Sequence, residues 1–248
     1  MSIRKISSRI LWDYYVYISL ISFVFLVQIQ LRFSVLNWNQ LIFAFFSTLG
    51  LYNLIYVFKT NTYRVVRLFL LVGSGVICLH NFLQLSKDVQ TLLIPLVFFG
   101  LFYQLPPPVI FKGLRYVKGL KILFISLSWF TVVYLMPFIS QGLNMNFSYL
   151  IFGYLWMFLW CLAFDIRDRK SDVGKIVTIP TEISNMSLKI LVVIIFSIAL
   201  VLRLYLGGSF LKTDIFMTFL ILIVNLISFG RTEKLFYLGL VDGLPILW

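Results

Sequence analysis

Apolar positions along this chain neither alternate nor repeat at a helical period. They run on in long blocks separated by short polar joints. A bilayer core about 30 Å thick needs about 20 mostly apolar residues per crossing helix. The blocks at 10–31, 40–58, 65–86, 89–105, 120–141, 146–165, 188–206 and 213–230 are of that kind. They predict eight membrane spans. The stretch from Leu235 to Trp248 is too short to cross comfortably and carries Asp242, Gly243 and Pro245, so a short ninth segment is expected there, packed or re-entrant. The predicted fold is all-α: a polytopic transmembrane helical bundle, 1–248 as one integral membrane domain.

Composition agrees with the pattern. The chain is 61% hydrophobic and 12% charged, against about 25% charged for an ordinary soluble domain. No soluble core of this size hides so much apolar surface. The net charge of +12 raises the question of nucleic acid. The basic residues lie in short joints between apolar blocks, not on a basic helix or stripe, which argues against that partner. Cys78 and Cys161 both fall inside apolar blocks without metal or redox spacing and read as packing residues. The first block is long enough to span and lacks a small-residue cleavage pattern, so no cleavable signal is expected.

Charge sets the sidedness. Of the 21 Lys and Arg residues, 17 fall on one side of the predicted spans and 4 (Arg32, Lys87, Arg203, Lys212) on the other. The positive-inside rule then places the N-terminus in the cytoplasm. With no targeting peptide, a bacterial inner membrane is expected. The long polar joints, 106–119 and 166–187, fall on the cytoplasmic side.

The second of these joints is chemically loaded. The chain has nine acidic residues, and Asp165, Asp168 and Asp172 are three of them. If the sixth helix runs on past the membrane, spacings of three and four put all three on one face. Like charges so spaced repel by about 0.2–0.5 kcal/mol per pair, and a divalent cation reverses that sign. Magnesium takes oxygen ligands and binds through one or two carboxylates plus substrate phosphates. The plainer alternative is a solvated turn in which Asp165 pairs with Arg169 and Asp172 with Lys175.

Arg167-Asp168-x-x-x-Asp172, followed by Gly174-Lys175 and Thr178-Ile179-Pro180, resembles the second aspartate-rich motif of the UbiA superfamily of intramembrane prenyltransferases. That motif lies between the sixth and seventh of nine helices, as it does here. Tyr103, Pro106-Pro107-Pro108, Lys112, Arg115, Lys118 and Lys121 resemble the family's basic loop between helices four and five. The resemblance implies a central cavity, Mg2+ held by aspartates, a prenyl diphosphate as donor and a hydrophobic, often aromatic, acceptor. It assigns Asp168 and Asp172 to metal and catalysis. Asp165 and Asn53 support them, and Tyr103, Lys112, Arg115 and Lys121 contact substrate. The family's first motif, NxxxDxxxD, is reduced here to Asn53, with Val57 and Asn61 in place of the aspartates. Two readings follow: a prenyltransferase with a degenerate first motif, or an inactive relative that binds an isoprenoid lipid or a partner.

Other polar residues have plainer readings. His80 is expected to be a hydrogen-bonded packing residue, and Asn225 to join helices. Asp13 is expected to pair with Arg9, and the Asp242 side chain to bond a neighbouring helix end. Pro106-Pro107-Pro108 should end the fourth span.

Overall fold

The computed structural model describes residues 15–57, 64–104, 117, 119–142, 146–174, 177–208, 210–229, 236–237 and 241–244, the side chains of 55–56, 101–104 and 171 excepted. Every regular element among them is helical. In chain order these are α1 (Val16–Arg32), α2 (Trp38–Val57), α3 (Arg64–Leu83), α4 (Lys87–Gln104), α5 (Leu120–Phe130), a π-helical turn (Thr131–Leu135), α6 (Met136–Ser140), α7 (Phe147–Asp172), α8 (Ile179–Glu182), α9 (Asn185–Leu206) and α10 (Leu211–Ser228).

A helix runs through each of the eight apolar blocks. Among the described residues, five are long and apolar enough to cross a membrane: Arg64–Leu83, Leu120–Ser140, Phe147–Lys170, Asn185–Leu206 and Leu211–Ser228. The other three blocks hold α1, α2 and α4. Helix α1 has 17 residues. The first turn of α2 holds Asn39 and Gln40, and its last turns hold Asn53. Helix α4 opens on Lys87 and Asp88 and contains Pro95. The outward faces agree with a lipid surround. Val65, Phe69, Val76 and Leu83 of α3, and Ile194, Val201 and Tyr205 of α9, are exposed. Apolar residues exposed in such rows belong against hydrocarbon. The chain is therefore an integral membrane protein.

Two compact units divide the residues. One comprises Met1–Pro106 with Met136–Gly142, the other Pro107–Leu135 with Leu143–Trp248. In the first unit polar side chains are spent on helix contacts. The Gln30 amide donates to Gln40 Oε1 at 2.7 Å, with both residues buried, and Ser22 Oγ donates to the Ala44 carbonyl. Gly50 lets α3 approach α2, since a Cβ there would stand 2.9 Å from Ser74 Oγ. His80 is exposed on α3, contrary to the packing role expected of it, and Asn81 is the buried neighbour, donating to Ile77 O.

The second unit is built round α7. Its buried row includes Phe152, Trp156, Leu159 and Ala163. Asn146 caps its start, accepting from Ser148 N at 3.0 Å. Arg169 and Lys170 occupy its last turn, where the helix dipole favours cations. Its 26 residues extend about 39 Å at 1.5 Å each, so it outruns the hydrocarbon core and carries its acids past the end of its apolar part. The preceding helix packs on it through Gly153. A Cβ there would meet the Tyr134 ring at 3.1 Å and the Phe130 ring at 3.2 Å. Gly153→Val is expected to lower stability by about 1–3 kcal/mol, read as a shift in the unfolding midpoint in detergent. An unchanged midpoint would mean that the two helices do not meet closely there. The π-helical turn beside it precedes Pro137, which has no amide proton to donate back along the helix.

Helix α9 starts at the Ser184 cap and ends at Gly207, whose φ of 60° suits glycine. The chain turns there and α10 returns alongside. Arg203 and Asp214 close this hairpin at 2.6 Å with side-chain exposures of 4% and 0%. Asn225 Nδ2 donates to Leu159 O on α7, the interhelical bond expected of it.

Candidate functional site

The helices of the second unit alternate in direction, so the start of α5 and the end of α7 meet. Lys121, in the first turn of α5, places its ammonium 2.8 Å from Asp165 Oδ1 and 2.9 Å from Asp172 Oδ2. The two aspartates are two turns apart on one face of α7. All three side chains are largely shielded, at 10%, 5% and 13% exposure. One buried cation thus holds two carboxylates that would otherwise repel.

Asp168 takes a different partner. Arg167 Nε donates to its Oδ1 at 2.6 Å and Nη2 to its Oδ2 at 3.1 Å. Adjacent residues on a helix point about 100° apart, so the arginine folds back to make this fork. Its guanidinium lies over the Phe164 ring at 5.3 Å and the Tyr237 ring at 4.9 Å, a setting in which cation–π attraction adds to the pairing. Arg169, expected to pair with Asp165, instead reaches Asn185 Oδ1 and the Ile183 carbonyl, fastening the end of α7 to the start of α9. The segment between them begins with Thr178, whose amide bonds Thr181 Oγ1 in a capping box beside Pro180.

The C-terminal segment closes the other side. Trp160 Nε1 donates to Val241 O at 2.8 Å, Tyr237 OH donates to Ser228 O at 3.4 Å, and Asp242 N donates to Tyr237 O at 2.8 Å. Asp242 is 2% exposed. Its Oδ1 has no hydrogen-bond partner among the described residues, so the side chain does not bond a helix end as expected. Burial pushes its carboxyl up to about 7, and the nearby Arg167 charge pulls the other way.

The remaining expected site residues are distributed as follows. Asn53 belongs to the first unit, where it is buried and its amide donates to Leu49 O at 2.8 Å. Tyr103 falls in the last turn of α4 by its backbone. Lys112, Arg115, Lys118, Lys175, Asn61, Pro106-Pro107-Pro108 and Asp13 lie outside the described residues. Sequence reasoning overlooked Arg167 as the partner of Asp168, and Tyr237 as its seat. The signal was available only as an arginine flanked by an aromatic three residues before it and an acid just after.

Asp165, Asp168 and Asp172 offer carboxylate oxygens, each facing a Lys or Arg of the chain. No three acidic, histidine or cysteine side chains converge among the described residues. Magnesium, however, binds through one or two carboxylates completed by phosphate and water. Asp165 Oδ2 is buried and lacks a hydrogen-bond partner among the described residues, and a lysine ammonium already occupies a cation's place between Asp165 and Asp172. Both observations fit a face that accepts positive charge. Comparison with protein-family models, with characterised proteins and with solved structures finds no match to the chain.

Proposed function

We propose that this chain is a UbiA-like intramembrane prenyltransferase that moves a prenyl group from a prenyl diphosphate to an aromatic or lipid acceptor, with Mg2+ at Asp168 and Asp172. The reading includes eight spans and a short ninth around a central cavity in a bacterial inner membrane, with the N-terminus and the acid face in the cytoplasm. The observation that carries it is the meeting of Lys121 with Asp165 and Asp172. It draws together a basic residue and an acid ladder that the resemblance assigns to one diphosphate site from opposite ends of a 51-residue separation.

The metal, when bound, supplies charge neutralisation for the diphosphate. The rest falls to the chain. Asp165, the most deeply buried of the three acids, keeps Lys121 at the helix end. The Lys121 ammonium stands beside Asp172, where it favours negative charge building on a departing diphosphate. The resemblance also assigns Asn53, Tyr103, Lys112 and Arg115 to substrate. The apolar helices keep water from a carbocation.

A second reading, an inactive relative that binds an isoprenoid lipid or a partner, is favoured by one observation. Asp165, Asp168 and Asp172 all already face a cation of the chain itself. The test is transfer from a labelled prenyl diphosphate, with magnesium and a broad acceptor panel, by protein in lipid nanodiscs. Transfer is expected, with Asp168→Asn and Asp172→Asn each slower by about a hundredfold or more. Absence of transfer, together with isoprenoid diphosphate binding that survives both substitutions, would overturn the enzyme in favour of the binder.

A further inference from the structure

Arg167 is fixed more firmly than its pairing with Asp168 alone accounts for. The two side chains are 32% and 34% exposed, and an ion pair that open to water contributes little by itself. Two rings add to it. The guanidinium carbon lies 5.3 Å from the centre of the Phe164 ring, one turn back on α7, and 4.9 Å from that of Tyr237. Tyr237 is fully buried, its ring stands 6.1 Å from that of Phe164, and its hydroxyl donates to the Ser228 carbonyl of α10. The guanidinium is therefore seated by two elements besides its own neighbour in sequence. One edge of it is taken and the other is open. Of its five N–H groups, the one on Nε and one on Nη2 serve Asp168. Both hydrogens of Nη1 and the second of Nη2 make no hydrogen bond among the described residues. Nη1 and Nη2 together present two parallel N–H groups, the fork that matches two oxygens of a phosphate. Lys170, exposed and three residues on, is a neighbour on the helix surface. Cations at that spacing repel, and an anion reverses the sign.

We infer that Arg167 is an anion-binding residue at the end of α7, taking two oxygens of a diphosphate on its Nη1–Nη2 edge, with Phe164 and Tyr237 as its positioning residues. The bonds to Asp168 stay in place as the anion binds. Rings that seat the guanidinium beforehand lower the ordering cost of that step. The open edge and its seat stand on the geometry alone, and the choice of a diphosphate as the anion rests on the reading of the acid face given above. A lipid headgroup offers the same phosphate chemistry, so the test separates the two.

The test is calorimetric titration of full-length protein, in phosphatidylcholine nanodiscs, with inorganic pyrophosphate and magnesium. Arg167→Gln should bind about tenfold more weakly than wild type, the effect of losing charge-assisted hydrogen bonds. Arg167→Lys should stay at least about threefold weak, because an ammonium keeps the charge without the fork. Tyr237→Phe keeps the ring and should bind as wild type does, whereas Tyr237→Leu should lose about threefold. Wild-type protein that binds no pyrophosphate, or Arg167→Gln that binds it equally well, would overturn the inference. Equal binding by Tyr237→Leu and Tyr237→Phe would overturn the positioning role of the ring. In discs that contain phosphatidylglycerol the gap between wild type and Arg167→Gln should persist. Its disappearance there would give the edge to the headgroup and overturn the diphosphate. Pyrophosphate binding that depends on Arg167, in protein that transfers no prenyl group, would support the inference while overturning the enzyme. Prenyl transfer with pyrophosphate binding indifferent to Arg167→Gln would do the reverse.

Discussion

Arg203→Ala and Asp214→Ala are each expected to cost about 3–5 kcal/mol of stability, among the largest losses a single substitution can bring to this protein. The pair lies at the α9–α10 hairpin with side-chain exposures of 4% and 0% and a separation of 2.6 Å. Arg203 also donates to the Gly207 carbonyl and lies over the Phe152 ring at 5.9 Å. Removing either partner leaves the other charge buried among apolar helices with its main counter-charge gone. The double variant Arg203→Met, Asp214→Leu should recover most of the loss, because no unpaired charge remains. Unfolding midpoints in mixed micelles give the comparison. Single losses below 1 kcal/mol, or a double variant as unstable as the sum of the singles, would show that this charge pair does not hold the hairpin.

Lys121→Ala is expected to be comparably damaging and to behave differently toward metal. Asp165 and Asp172 share this one ammonium at 2.8 and 2.9 Å. Without it, two shielded carboxylates face each other and the buried Asp165 keeps no cation from α5. The loss should again be about 3–5 kcal/mol, and Asp165→Asn in the same chain should relieve part of it. Added magnesium or manganese should stabilise Lys121→Ala more than wild type, by about 2.7 kcal/mol at a hundredfold excess over the dissociation constant. Equal cation effects on the two proteins would show that the ammonium does not hold a cation's place.

The helices were legible because they are written locally. Each apolar block holds a helix, and the Asn146 and Ser184 side chains cap two of them. Lys87, Asp88 and Pro95 lower the apolar character of one block without breaking its helix. The acid face was half legible. Spacing put Asp165 and Asp172 on one side of α7, but the choice of counter-cation was a tertiary matter. Local rules offered Arg169, four residues away. The fold supplied Lys121, whose helix must first pack on α7 through Gly153 before the contact exists. Arg203 was read only as one of four basic residues on the far side of the spans, and Asp214 was not singled out. Their mutual burial depends on how α9 and α10 lie against Phe152.

The bond from Trp160 to Val241 also sets an order of events during synthesis. The two residues are 81 positions apart, so at about 5–20 residues per second Val241 emerges roughly 4–16 s after Trp160. Until then the bond from the Trp160 indole to Val241 and the seat of Arg167 on Tyr237 are not made. The charged end of the helix is thus completed late: a nascent chain arrested before Tyr237 would hold Lys121 against Asp165 and Asp172 without the Trp160–Val241 bond or the Tyr237 ring over Arg167.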